Sequence, residues 1–223
     1  MPHARPHRIP DSDTRLSVPL FTVGEAARYL DVAPSTLGRW SRSELLITRG
    51  SEGGRTASVP FIGLAEGLVL AAFRRTGISM QRIIPALQKL KAEVGVEHAL
   101  ASRSLYSDGA EILFDYSEEC DHSLSGLTVV TSGQRVFTDV IRDYLKLISY
   151  DQAGWPDVLR LPRFPRIEVV VDPRRSFGQP ILQQYGVRVE DLVDRWHAGE
   201  KTKEIADDFR VPPDVVEDVL RAA

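Results

Sequence analysis

The sequence predicts an α+β protein with a helical unit at each end and a mixed α/β segment between them. Three observations carry this expectation. Thr22 and Glu25 form the S/T-x-x-E pattern of a helix start, and Val23, Ala26, Ala27 and Leu30 follow at helical spacing. The runs Ile112-Leu113-Phe114-Asp115-Tyr116, Leu127-Thr128-Val129-Val130 and Arg166-Ile167-Glu168-Val169-Val170-Val171 have the β-branched and aromatic content of strands. From residue 188 the periodicity is helical again, over 188–198, 202–208 and 213–222, with Gly199 and Pro212-Pro213 as breaks.

Taken in order, residues 1–19 hold four prolines and no periodic apolar pattern, and they read as a flexible arm. The helix after Thr22 runs into the turn Asp31-Val32-Ala33. A second helix begins with Pro34, where a missing N–H does no harm, and turns Leu37 and Trp40 inward. The glycine-rich loop from Thr48 to Arg55 follows, then a short returning strand at 57–60. Helices are expected at 61–76 and 79–94, separated by Gly77. Residues 20–98 thus form one domain, 99–165 a mixed α/β linker region with a helix at 136–147, and 166–223 a three-helix module. The stretch from Gly154 to Pro165 contains three prolines and reads as a loop or extended arm, and no internal repeat is evident.

Composition narrows the function classes. Hydrophobic residues make up 43% of the 223-residue chain and charged residues 26%, as in ordinary globular proteins. Cys120 is the single cysteine, so one chain holds neither a disulfide nor a cysteine-built metal site, which fits a reducing cytoplasm. No run of 18 apolar residues marks a membrane span. The net charge of -3 hides an asymmetry. Residues 1–100 carry 13 Lys or Arg against 9 Asp or Glu, whereas residues 185–223 carry 6 against 10. A basic front suits DNA and an acidic back suits something else, although chance variation gives the same pattern.

Two short helices joined by a tight turn are the mechanical unit that lays one helix in the major groove. On the second helix, Ser35, Thr36, Arg39 and Arg42 are the candidate DNA contacts, because arginine binds guanine or phosphate and the hydroxyls serve either role. Arg49 and Arg55, in a loop able to act as a wing, are phosphate candidates. A helix-turn-helix that mediates only protein contacts is the competing reading. The segments Val23-Gly24-Glu25-Ala26-Ala27 and Val32-Ala33-Pro34-Ser35-Thr36-Leu37 resemble the opening of MerR-like winged helix-turn-helix proteins. The Arg39-Trp40 pair resembles the excisionase branch of that superfamily. Gly38 and Glu44 depart from the pattern, and the loss of one basic contact points to dimerisation as its rescue. Metal-sensing members use several cysteines, which excludes that role here.

The tail is similar to a family of small bacterial domains that recur in antitoxins (the DUF433 type). The likeness rests on Gly178-Gln179-Pro180-Ile181-Leu182, Val187-Arg188-Val189-Glu190-Asp191-Leu192-Val193 and Thr202-Lys203-Glu204-Ile205-Ala206-Asp207-Asp208-Phe209, and it continues from Val215 to Leu220. It implies three helices arranged like a helix-turn-helix. Asp214, Glu217 and Asp218 on the last of them would be repelled by phosphate, so toxin contact or dimerisation suits this module better than DNA. A solvated acidic face on a stabilising domain is the alternative.

Together, the two resemblances imply a VapB-type antitoxin that autoregulates at operator DNA and binds a PIN-domain ribonuclease toxin, as a homodimer. Arg163, Arg166, Arg174 and Arg175, near the Pro-interrupted arm, are the candidate toxin contacts. Pairing of these arginines with surface acids is the other possibility. Ile83, Ile84, Leu87 and Leu90 form a stripe suited to a dimer interface or to intrachain packing.

Enzyme signatures are lacking, and no cofactor is expected. The five histidines, at 3, 7, 98, 122 and 197, have no metal-ligand spacing, and there is no phosphate-binding or nucleophile-elbow motif. Asp115, Glu118, Glu119, Asp121 and His122 form the best candidate metal cluster, though such charge runs are usually solvated loops. A MerR-like regulator without a toxin, sensing a small molecule near Phe114, Tyr116 and Phe137, remains the alternative function.

Overall fold

The computed structural model of the chain describes residues 13–42, 46–50, 58–75, 80, 84, 87, 98–103 and 143–222. Order begins earlier than the proline content suggests. Helix α1 (Thr14–Ser17) lies inside the segment read as a flexible arm. Asp13 caps it, accepting from the Arg15 N–H at 2.9 Å, and Arg15 reaches across to Asp151 at 2.8 Å and the Pro156 carbonyl at 2.9 Å. A local cap and a long-range ion pair thus fix a segment that has no apolar periodicity of its own.

Strand β1 (Pro19–Phe21) leads to helix α2 (Val23–Tyr29), and the expected capping box is present. The Glu25 N–H donates to Thr22 Oγ1 at 3.1 Å, and the Thr22 N–H donates to the Glu25 carboxylate at 2.7 Å. Asp31, at φ 55°, ends α2 in the left-handed region, which short polar residues tolerate. The Asp31 and Val32 N–H groups bond back to the Arg28 and Ala27 carbonyls, closing the helix and aiming the chain into α3 (Pro34–Trp40).

Helix α4 (Phe61–Arg75) follows β2 (Val59–Pro60), which pairs antiparallel with β1. All of its residues from Phe61 to Phe73 are buried. A helix that is apolar on every side belongs inside a domain, and each large side chain buried along it contributes roughly 1.5–3 kcal/mol. Helix α1, β2 and the later strand at Pro156–Arg160 pack on it, and Leu30 and Leu37 reach it at Gly67. Two close approaches depend on glycine. A Cβ on Gly63 would lie 2.5 Å from the Thr48 carbonyl oxygen, and one on Gly67 would lie 2.6 Å from Leu30 Cδ1.

The middle segment closes with an antiparallel sheet in the order β3 (Ile148–Tyr150), β4 (Pro156–Arg160), β5 (Val169–Val171), β6 (Ile181–Leu182). Two expectations change here. The stretch 154–165 is not an arm throughout: β4 occupies its first half, with Pro156 opening the strand opposite Tyr150. The strand read over 166–171 shortens to Val169–Val171, because Pro162 and Pro165 belong to the turn between β4 and β5. The sheet runs across residue 165, so the linker region and the tail share one framework.

Helices α5 (Val189–His197), α6 (Thr202–Phe209) and α7 (Pro213–Ala222) form the expected trihelical module. Leu192, Ile205, Ala206, Val211, Val216 and Val219 fill its centre. The strands expected at 112–116 and 127–130, and the helix over 136–142, lie outside the described residues, while 143–145 are helical. Of the stripe at 83–90, Leu87 is buried and Ile84 packs against the core of its own chain; Ile83 and Leu90 lie outside the described residues.

Gly63→Ala should therefore lower stability by about 1–3 kcal/mol, since backbone must move to admit the methyl group. Gly67→Ala should cost less, because only a leucine terminus must shift. Urea denaturation of the two variants checks the order.

Acid should loosen α1 at a definable point. Burial opposes ionisation of Asp13, but hydrogen bonds from Arg15 more than offset it and hold the carboxyl below its ordinary value. A depressed pKa gives stability that is present above the unfolded value and lost as pH falls through the folded one. Asp13→Asn should flatten the acid limb of a pH–stability profile.

Candidate nucleic-acid interface

Helix α3 is held by what it buries. Leu37 and Trp40 are buried, with α3 packed on α2 and Leu37 reaching Gly67 of α4, which fixes the rotation of the helix about its axis. Ser35 and Arg39, at i and i+4, share the outward face of α3, and both are exposed. Arg42, expected on this helix, is also exposed but lies in the turn beyond the Ser41 cap, because the helix ends at Trp40. Thr36, on the flank of that face, accepts a hydrogen bond from Arg74 at 2.8 Å. Arg49 is exposed in the loop after α3. Gly50 donates to the Ser58 carbonyl at 3.2 Å, and Ser58 donates to the Phe21 carbonyl at 2.9 Å, closing the base of that loop on β1. Arg55 lies outside the described residues.

The charge at this face is positive for a second reason, one that sequence reading missed. Arg74 and Arg75 end α4 beside the first turn of α3. Arg75 pairs with Asp31 at 2.7 Å, which neutralises the acid in the turn between the two helices, and it also lies 5.5 Å from the centre of the Tyr144 ring. The sequence signal was present as two adjacent arginines closing an apolar helix. Their distance from residues 31–36 along the chain concealed the relation.

A buried polar cluster pins the root of the loop. Glu66 is 5% exposed, in the middle of the apolar helix α4. Its carboxylate accepts from the Thr48 N–H at 2.6 Å and from the Thr48 hydroxyl at 3.1 Å. His98 Nδ1 lies 2.8 Å from that hydroxyl and 3.2 Å from Glu66 Oε1. A buried carboxylate without such partners would cost several kcal/mol, so Thr48, the neighbour of Arg49, is strongly localised.

The tail contains a second helix-turn-helix with the same local chemistry as α2–α3. Glu204, Ala206, Val211 and Pro213 repeat the order of Glu25, Ala27, Val32 and Pro34, and Arg210 takes the left-handed position of Asp31 at φ 54°. The Val211 N–H reaches the Ala206 carbonyl at 3.0 Å, as the Val32 N–H reaches Ala27. Val216 and Val219 are buried where α3 has Leu37 and Trp40. The chain therefore carries a structural repeat that its two surfaces disguise. Asp214 and Asp218 stand where α3 carries Ser35 and Arg39.

The four arginines of the tail are brought into two groups. Arg163 and Arg166 lie in the β4–β5 turn against α7. Arg163 donates to the Ala222 carbonyl and lies 3.9 Å from Asp31, while Arg166 lies 3.4 Å from Asp218. Arg174 and Arg175 follow β5. Arg174 binds Asp157 at 2.9 Å and Asp172 at 3.1 Å, and Arg175 binds the Gln183 amide oxygen at 3.2 Å. Among the described residues there is no group of three histidine, cysteine or acidic side chains able to hold a metal, and no helix long and apolar enough to cross a membrane. The acidic cluster at 115–122 and the aromatic residues Phe114, Tyr116 and Phe137 lie outside them.

Comparison with known proteins agrees with this division. Residues 19–87 match a family described as "Putative DNA-binding HTH domain", and residues 169–222 match "Protein of unknown function (DUF433)". The chain is 40% identical over 230 aligned positions to the "Putative antitoxin VapB45" of Mycobacterium tuberculosis, covering 94% of this chain and 96% of that protein. It is also similar to the crystal structure of Rv2018 from Mycobacterium tuberculosis, with a TM-score of 0.74 and 36% identity over 92% of this chain and 99% of the other. An exposed basic helix-turn-helix at one end, a DUF433 module at the other and likeness along almost the whole length place the chain in the VapB-type antitoxin family, to which it belongs.

Proposed function

We propose that this protein is the antitoxin of a type II toxin–antitoxin system. It binds its own operator DNA as a homodimer through a MerR-like winged helix-turn-helix, and it neutralises a PIN-domain ribonuclease by direct contact. The observation that carries the DNA half is the exposed pair Ser35 and Arg39 on α3, with Arg42 in the turn just after it, Arg49 on the adjoining loop and Arg75 neutralising Asp31. Arg39 and Arg42 read base edges or grip phosphate, Ser35 and Thr36 make shorter polar contacts, and Arg49 and Arg55 hold the backbone. A dimer supplies two such heads, which suits a reader this small. The toxin half rests on family membership and on Arg163, Arg166, Arg174 and Arg175, whose charges suit a partner cleft lined with carboxylates.

Two measurements test the DNA half. Arg39→Ala should weaken operator binding by about 1–3 kcal/mol if it contacts a base, with relaxed preference at one position. Arg49→Ala should weaken binding to all sequences alike and lower the slope of log K against log salt by about 1, as expected for one lost phosphate contact. Equal effects of both variants on specific and random DNA would remove α3 as the reader.

The toxin half is tested by mixing the full-length protein with the protein encoded beside it, scoring ribonuclease inhibition and operator binding in the same sample. Capture with arrest of RNA cleavage is the expected result. Operator binding without capture would leave a plain transcriptional regulator.

A further inference from the structure

The turn after β5 holds a backbone that the sequence would not choose for its own sake. Ser176, Phe177 and Gly178 have φ of 48°, 54° and 74°, three consecutive residues in the left-handed region. Glycine occupies that region freely, serine at some cost, and a bulky aromatic residue rarely. Phe177 nevertheless has 89% of its surface exposed, more than any other large apolar residue described. No burial by its own chain offsets the strain.

The turn is fixed from both sides. Asp172, 7% exposed, accepts from the Arg174 N–H at 2.9 Å and from the Arg174 side chain at 3.1 Å. The Arg175 N–H closes on the Asp172 carbonyl at 3.0 Å, and the Gly178 N–H on the Arg175 carbonyl at 2.9 Å. Gly178 is buried so closely on Leu20 that a Cβ there would lie 2.6 Å from Leu20 Cδ1. Val18, 42% exposed, is two residues from Leu20, so a second exposed apolar side chain belongs to the neighbouring segment. Arg174 and Arg175 precede the aromatic residue directly. Among the described residues Arg175 binds the neutral Gln183 amide and no carboxylate.

We propose that Phe177 is the apolar anchor of the toxin-docking surface, presented by a strained turn and inserted into an apolar socket of the partner that is rimmed by carboxylates. The charge of Arg175, bound to a neutral amide while Arg174 is held by Asp157 and Asp172, selects that partner chemistry. A preformed aromatic knob loses little side-chain freedom on binding, and such residues dominate the energetics of interfaces. This inference rests on the antitoxin reading and deepens it by naming the residue on which capture turns.

The test uses the full-length protein with Phe177→Ala and Phe177→Gly, each mixed with the ribonuclease encoded beside it. Both variants should bind that partner at least tenfold more weakly and leave operator binding unchanged. Glycine relieves the left-handed strain, so Phe177→Gly should melt at the same temperature as the parent or higher while capture is lost. A purely structural role predicts the opposite change in melting. Capture by Phe177→Gly as tight as the parent's overturns the inference and leaves the antitoxin reading intact. So does a fall from dimer to monomer in sedimentation with capture unchanged, which would assign Phe177 to a second copy of the chain. A parent protein that captures nothing overturns the antitoxin reading and this inference together.

Discussion

The whole arrangement depends on the need to cover α4 on every side. Thirteen successive buried residues, Phe61 to Phe73, leave no face for solvent, so elements on both sides of α4 in sequence must wrap it, among them α1, β2 and β4. The pair α2–α3 is too short to be stable alone, since helices of seven residues are marginal in water. Leu30 and Leu37 take their stability from α4, and Gly67 lets Leu30 approach closely enough. Glu66 adds direction to this attachment. One buried carboxylate that must be hydrogen-bonded selects one position of Thr48, and hence one root for the loop that carries Arg49. Apolar packing fixes the attitude of α3, and a single polar constraint fixes the loop beside it.

The two helix-turn-helix units separate shape from function. Both close the first helix with a left-handed residue, both begin the second with proline, and both bury two apolar residues one turn apart. Their exposed faces differ in sign. A phosphate backbone attracts guanidinium groups and repels carboxylates, so the same scaffold offers it a favourable face where Arg39 and Arg42 are exposed and an unfavourable one where Asp214, Glu217 and Asp218 stand. Local chemistry of turns and caps determines the fold of such a unit. The outward positions, which contribute little to stability, determine what it touches.

This separation explains what the sequence disclosed. The α2 capping box, Pro34 at the start of α3 and the boundaries of the three tail helices are local signals, and they were legible because their partners lie within five residues. The repeat was missed because only buried and capping positions are shared, while the exposed majority differ. Helix α1 was missed because its cap is held by Arg15, which depends on Asp151 far along the chain. Strand β4 was hidden by prolines, since a proline can open a strand where no ladder N–H is required. At the candidate site, the exposure of Ser35 and Arg39 on α3 was readable from helical phase, whereas Arg42 falls past the end of the helix. Arg74 and Arg75 were not, because their relation to Thr36 and Asp31 arises only after α4 folds back.

The tail arginines show why composition alone misleads about contacts. In sequence, Arg163 and Arg166 resemble a solvated basic arm; in the fold, each already has a partner in or beside α7. Exposed pairs of this kind contribute about 0–1 kcal/mol, so they orient a guanidinium without committing it. Arg163 is the consequential member, since it lies between Asp31 of the reading head and the Ala222 carbonyl of the tail module. A carboxylate of a partner placed near it competes with Asp31 as well as with solvent. Asp31 retains Arg75 when that happens, so the turn of the helix-turn-helix keeps its neutralising charge. The charge balance of the turn between α2 and α3 therefore does not depend on Arg163, although Arg163 ties that turn to the end of α7.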